Sequence, residues 1–166
     1  LSLLVDAARA AGDIALRYWR QDPQSWEKPD DAGPVTEADL AVNDELQRRL
    51  TGMRPDYGWL SEESEADPAR LDARRCFIID PIDGTRAFID GRDIWCVSIG
   101  IVEDEKPIAG VLECPALRER YWASAGGGAF KDGRRLSVTG SRAQPVVAAP
   151  PKAEPQLERA FPGGYI

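Results

Sequence analysis

The chain contains no histidine. That excludes Ser-His-Asp and Cys-His nucleophilic catalysis within these residues, and H-E-x-x-H zinc chemistry with them. Cysteine is scarce: Cys76, Cys96 and Cys114 are odd in number, far apart and without a C-x-x-C pair. Such usage predicts buried, reduced thiols in a cytoplasmic protein rather than a structural zinc site or a redox pair. Long apolar runs are missing too, because Arg, Asp or Glu interrupts every hydrophobic stretch, so no membrane span is expected. Positive charge is in deficit. With 21 Lys and Arg against 28 Asp and Glu, the net charge is −7 and the pI about 4.7, which argues against a binder of nucleic-acid polymers or membrane surfaces. No Met opens the chain, and Leu1–Asp6 is too short and too soon acidic for a signal peptide, so the N-terminus is expected to be a cut end.

What remains for chemistry is carboxylates, hydroxyls, Lys and Arg, backbone groups and oxygen-bound metals. At 166 residues, 43% hydrophobic and 30% charged, the chain has the material for one ordinary domain with a core. Apolar residues from Leu3 to Trp19 recur at spacings of three and four and predict a helix over 2–20. Three Pro, a Gly and several acids predict a loop over 21–35. A second helix is expected from Thr36, with Asp39 as a capping-box acid and Leu40, Val42, Leu46, Leu50 and Met53 on its apolar side. Gly52 and Pro55 mark its end.

The periodicity then changes. Trp59-Leu60-Ser61 reads as a short strand, Pro68–Ala73 as a helical turn, and Cys76-Phe77-Ile78-Ile79 as a buried strand. Residues 94–103 and 106–114, separated by Asp104-Glu105, predict a hairpin. A strand over 120–123 and a hairpin around Lys131–Arg134, running on to Val138, follow. Helices first and mainly antiparallel strands after predict an α+β fold, with N-terminal helices layered on one face of a sheet. The expected division is a domain over 1–142, then a Pro-rich linker over 143–166 that begins a further portion.

The segment Asp80-Pro81-Ile82-Asp83-Gly84-Thr85 carries the chemical signal. Pro81 disfavours helical geometry at Asp80, which places that carboxylate at the end of the buried strand. Two carboxylates three residues apart across a turn can converge on one point, and a hard cation bound through oxygen is the usual reason to hold two anions together. Backbone N–H groups after Gly84 would favour an anion. A strand followed by P-x-D-G is equally an ordinary turn, Ser61-Glu62-Glu63-Ser64 alone an acidic surface turn, and Val35-Thr36-Glu37-Ala38-Asp39 alone a helix start. Lys28 carries no signal by itself. The weight lies in order and combination.

In that order, V-T-E-A-D, L-S-E-E-S, F-I-I-D-P-I-D-G-T, V-S-I-G-I-V and G-G-G-A-F resemble the inositol monophosphatase superfamily of magnesium-dependent, lithium-sensitive phosphatases, over about Lys28 to Gly140. The resemblance implies a layered α/β sandwich of the sugar-phosphatase type. It also implies roles for matching positions. Glu62, Asp80 and the backbone carbonyl of Ile82 would hold a first Mg²⁺. Asp80 and Asp83 would help hold a second, and Glu62 a weaker third. Thr85 paired with Asp39 would orient and activate the attacking water, and the N–H groups of Gly84 and Thr85 would bind phosphate. Two or three bound cations would also reverse the sign of an acidic protein's field where a phosphate must approach.

The implied reaction is hydrolysis of an inositol or sugar monophosphate. The alternative is a 3′(2′),5′-bisphosphate nucleotidase acting on adenosine 3′,5′-bisphosphate, toward which Arg86-Ala87-Phe88 after D-G-T, G-P-V-T-E-A-D and L-S-E-E all lean. A non-catalytic binding or regulatory domain of the same fold is the reading from another class, and a calcium-buffering protein is disfavoured by the lack of an EF-hand loop. The expected partner is a small phosphorylated molecule, with homodimerisation common in the family. The second half of that family carries a further metal-binding aspartate in a W-D motif, and no W-D pair occurs here.

Overall fold

A computed structural model describes residues 1–29 and 33–137. The elements run α1 (Ser2–Tyr18), β1 (Ser25–Glu27), β2 (Pro34–Thr36), α2 (Glu37–Met53), β3 (Gly58–Ser61), β4 (Arg75–Asp83), α3 (Thr85–Ile89), β5 (Cys96–Glu103), β6 (Lys106–Cys114), β7 (Glu119–Ser124), β8 (Gly128–Lys131) and β9 (Arg134–Arg135). Strands β3 to β9 form one sheet in sequential order. Only β3 and β4 pair in parallel; every later neighbour is antiparallel. The expected α+β architecture of helices on a mainly antiparallel sheet is what the chain adopts.

Both long helices contribute to one core with the sheet. From α1 come Leu4, Ala7, Ala8, Ala11 and Ala15, and from α2 Ala38, Val42, Leu46 and Leu50, all 1% exposed or less. The small side chains of α1 let its backbone come close to α2 and to the β5–β6 side of the sheet, which brings Val97, Ile99 and Val111, while the branched residues of α2 lie against β4 with its Phe77 and Ile79. The opposite face of the sheet bears Ile78 and Leu112, both over one-third exposed. Among the described residues no helix is long and apolar enough to cross a membrane.

Several boundaries differ from the sequence expectation, each for a local reason. Helix α1 stops at Tyr18 because Trp19 turns extended, with its indole N–H donated to the Arg92 carbonyl at 3.1 Å and its ring against Trp95. The loop expected over 21–35 contains the short antiparallel pair β1–β2. Leu40 and Met53 lie on the solvent side of α2, 39% and 59% exposed, so its apolar stripe is narrower than the spacing suggested. Strand β5 begins at Cys96, and Ile94 is exposed. The buried strand expected over 76–79 runs on through Asp83. The last expected hairpin is present as β8–β9, while Val138, the 142/143 boundary and the Pro-rich tail lie outside the described residues.

The contrast along α2 is testable. Leu46→Ala should lower unfolding free energy by about 2–5 kcal/mol. Met53→Ala should change it by no more than about 0.5 kcal/mol. Urea denaturation followed by circular dichroism reads both.

Candidate metal centre

Two register rules assemble the acidic cluster. The first is the parallel ladder: Ser61 lies opposite Ile79, and the Glu62 N–H donates to the Ile79 carbonyl at 3.1 Å. Glu62 and Asp80 therefore leave adjacent parallel strands side by side at their carboxyl ends, the end of such strands where ligands gather in open sheets.

The second is a slip in the antiparallel ladder. Asp80 lies opposite Ser98 and Asp83 opposite Cys96, so three steps on β4 match two steps on β5. In a regular strand, residues three apart point to opposite faces. The extra residue restores Asp83 to the face of Asp80, because Ser98 and Cys96 are two apart and share a face. Pro81 sits within the slip, where the ladder forfeits a bond and a missing N–H is tolerated. Ile82, 1% exposed, stays in the helix-side core. The expected two-carboxylate turn is thus the bulged end of a strand.

Gly84 follows at φ 94°, a left-handed conformation in which a Cβ would also meet the Ile94 carbonyl at 3.0 Å. It starts α3, whose first-turn N–H groups lack helical partners. Phe88 pins α3 by an edge-on contact to Trp95, ring centroids 4.8 Å apart. The Thr85 hydroxyl donates to the Ile82 carbonyl at 3.0 Å. That leaves this carbonyl one lone pair.

Asp39 belongs to a different unit. Its Oδ2 accepts from the Thr36 N–H at 2.8 Å and the Thr36 hydroxyl at 2.5 Å, and the Thr36 hydroxyl accepts in return from the Ala38 and Asp39 N–H groups. The capping box expected from spacing is present in full. Asp39 is 1% exposed and its Oδ1 has no hydrogen-bond partner. Burial raises its carboxyl above the ordinary range against these bonds. Among the described residues, Thr85 and Asp39 are not hydrogen-bonded to each other, although α3 lies against β2, the strand that ends in Thr36.

Lys28, which carried no signal by itself, and Glu63, the second acid of L-S-E-E-S, to which no role was attached, complete the cluster. Lys28 places its ammonium 2.7 Å from both Glu62 Oε1 and Glu63 Oε1. Burial works against that ammonium, but the two carboxylates outweigh it and raise its affinity for its proton. Glu63, with a side chain only 6% exposed, is raised by burial despite Lys28. Behind them Asn43 of α2 accepts from the Ser61 hydroxyl at 2.7 Å, and the Ser61 hydroxyl accepts from the Glu63 N–H, which braces the turn. Nothing in spacing signals Lys28, because 34 residues separate it from Glu62.

Asp80 is pushed up to about 7, by burial first and then by Glu62 and Asp83. A carboxyl raised in this way by burial and by neighbouring carboxylates fits a multivalent cation, and the all-oxygen donor set fits a hard one such as Mg²⁺. Among the described residues no group of three or more Cys, Asp or Glu side chains is so placed that it could hold a metal ion. Lys28 engages Glu62, so a dication would compete with an ammonium for it.

The layered α+β fold thus sets acidic residues at the ends of two parallel strands, followed by a glycine-initiated helix. The model of the inositol monophosphatase family matches residues 1–157, and the chain belongs to that family, whose members are metal-dependent. It is 39% identical over 140 residues to a histidinol-phosphatase of Chlorobaculum parvum, covering 84% of this chain and 53% of that protein. It is 37% identical over 139 residues to a 3′(2′),5′-bisphosphate nucleotidase of Aggregatibacter actinomycetemcomitans, covering 81% and 51%. The crystal structure of an extragenic suppressor protein from Bartonella henselae superposes with a TM-score of 0.80 at 32% identity, over 96% of this chain and 64% of that one. The chain spans about half the length of the curated relatives it matches.

The Lys28 bridge yields a stability prediction. Lys28→Met leaves Glu63 buried without its cation and should destabilise the fold by about 1–3 kcal/mol. Adding Glu63→Gln should recover most of that loss, and urea denaturation of the single and double variants measures it.

Proposed function

We propose that this chain carries the cation- and phosphate-binding part of a Mg²⁺-dependent phosphomonoesterase. The observation that supports this most directly is the double register: the parallel ladder sets Glu62 beside Asp80, and the bulge at Pro81 brings Asp83 to the same face. In this reading Glu62, Asp80 and the Ile82 carbonyl hold one Mg²⁺, Asp80 and Asp83 contribute to a second, and Glu62 to a weaker third. When bound, such ions neutralise a phosphate and acidify water.

The chain's own groups do the rest. The N–H groups of Gly84 and Thr85 receive phosphate oxygens at the start of α3. Thr85 turns its hydroxyl between the Ile82 carbonyl and an incoming water. Asp39 stands by with an oxygen that has no partner and can accept a proton passed along that path. Residues 1–142 form the working unit of this proposal, with the substrate pocket completed elsewhere in the protein. A cytoplasmic location and a homodimer belong to the same reading.

The substrate is a small phosphate monoester, with inositol or sugar monophosphates first. Arg86-Ala87-Phe88 and the similarity to a bisphosphate nucleotidase support adenosine 3′,5′-bisphosphate as the second reading. Similarity to a histidinol-phosphatase adds a third phosphate ester worth assaying.

Calorimetric titration with Mg²⁺ should show binding to this chain, and Asp80→Asn should weaken it about tenfold or more. The protein expressed from its complete reading frame should release phosphate from one of these esters in Mg²⁺ and release less when Li⁺ is added. Mg²⁺ binding without release from any ester would favour a non-catalytic domain. Absence of Mg²⁺ binding would remove the metal-centre reading itself.

A further inference from the structure

The cysteines are widely spaced in sequence, yet two of them meet in the sheet. Val97 of β5 lies opposite Glu113 of β6, and the register shift in this pair lies at its other end, between Ile101 and Val102. One step further, Cys96 faces Cys114 directly, on neighbouring strands and the same face. The two thiols are near enough to alter each other's acidity. Opposed residues in an antiparallel pair have Cα atoms about 4.5–5.5 Å apart, inside the range of about 4.4–6.8 Å that disulfides span. Cys96 is buried, whereas Cys114 is partly exposed and open to an oxidant.

The row continues on both sides. Asp83 is the ladder partner of Cys96, and Glu119 that of Cys114. The Cys96 thiol approaches Asp83 Oδ2 at 3.9 Å, and among the described residues it is the one hydrogen-bond donor recorded for that carboxylate. Cys96 therefore stands between a carboxylate of the acidic cluster and a second cysteine.

We propose that Cys96 and Cys114 form an oxidisable dithiol whose conversion to a disulfide alters cation binding at Asp83. With a small-molecule disulfide as oxidant, one thiolate of the pair attacks it and releases one small thiol. The second thiolate then attacks the mixed disulfide, forms the Cys96–Cys114 bond and releases the other small thiol. Two cysteine thiols are oxidised, one disulfide is reduced to two thiols, and the protons balance. Oxidation removes the hydrogen that Cys96 presents to Asp83, so that carboxylate loses its donor. The disulfide itself stands apart from the function proposed above; its effect on cations rests on that reading.

The full chain is treated with oxidised glutathione, alkylated, digested and mapped by mass spectrometry, beside Cys114→Ser and Cys96→Ala, with circular dichroism confirming that each variant folds. The expected product joins the peptides bearing Cys96 and Cys114, leaves Cys76 alkylated and reverses with dithiothreitol. A glutathione adduct held on Cys114 without closure, or pairing through Cys76, would overturn the proposal. Mg²⁺ titration of both redox forms should then show about twofold weaker binding after oxidation, the scale of one weak S–H···O contact, with no such difference in Cys114→Ser. Equal affinities with the disulfide formed would overturn the coupling. Absence of Mg²⁺ binding in both forms would overturn the coupling together with the metal-centre reading, while leaving the disulfide established.

Discussion

The extra residue in β4 opposite Val97 is the constraint on which the acidic site depends. A strand obeying strict alternation would send Asp83 into the helix-side core if Asp80 pointed away from it. The slip keeps Ile82 packed beneath α1 and α2 and still returns Asp83 to the face of Asp80. Proline suits this place because it cannot donate to a ladder that is already interrupted there. Gly84 then supplies the left-handed turn that brings the α3 N–H groups to the same strand end. Two backbone preferences, of Pro81 and Gly84, act on one short segment in the same sense.

The sheet divides the molecule's tasks between its faces. Phe77, Ile79, Val97 and Ile99 face the helices and are at most 3% exposed, so substitutions there act on stability. Asp80, Asp83, Ser98, Cys96 and Cys114 share the other face through the paired registers. The separation lets the acidic side bear electrostatic repulsion without disturbing the apolar packing. The repulsion acts on Asp80, whose carboxyl is pushed up to about 7 by burial first and then by Glu62 and Asp83. A fold selected for stability alone would have less reason to place Glu62, Asp80 and Asp83 beside one another.

Periodic features were legible in the sequence because their partners are close along the chain. The apolar stripe of α1, the Thr36–Asp39 capping box, the apolar run 76–79 and the β5–β6 hairpin all follow from spacings of a few residues. The D-P-I-D-G-T segment lies at the end of β4, which runs on through Asp83. What spacing could not show was register. Whether Asp80 and Asp83 share a face depends on a slip set by β5, and whether Cys96 meets Cys114 depends on how the hairpin aligns 18 positions apart. The expectation of buried thiols holds for Cys76 and Cys96, while Cys114 is partly exposed. Lys28 was illegible for a similar reason: its meaning comes from Glu62 and Glu63, reached across 34 residues by the β1–β2 hairpin that the Pro-rich loop pattern concealed.

Lys28 also shows how the chain keeps its acidic residues in place. An ammonium between Glu62 and Glu63 offsets their charge, and the Ser61–Asn43 bond fixes the turn that presents them. The two carboxylates are not equivalent under this bridge. Glu63 is almost wholly enclosed, so its ion pair with Lys28 is structural. Glu62 is 46% exposed and can exchange the ammonium for another cation at little desolvation cost. A lysine that clamps the buried carboxylate and lends itself to the exposed one leaves Glu62 the adjustable member of the cluster, next to Asp80 across the parallel ladder. The cluster thus combines two carboxylates at the end of β4 with one, Glu62, whose exposure leaves it able to change partner.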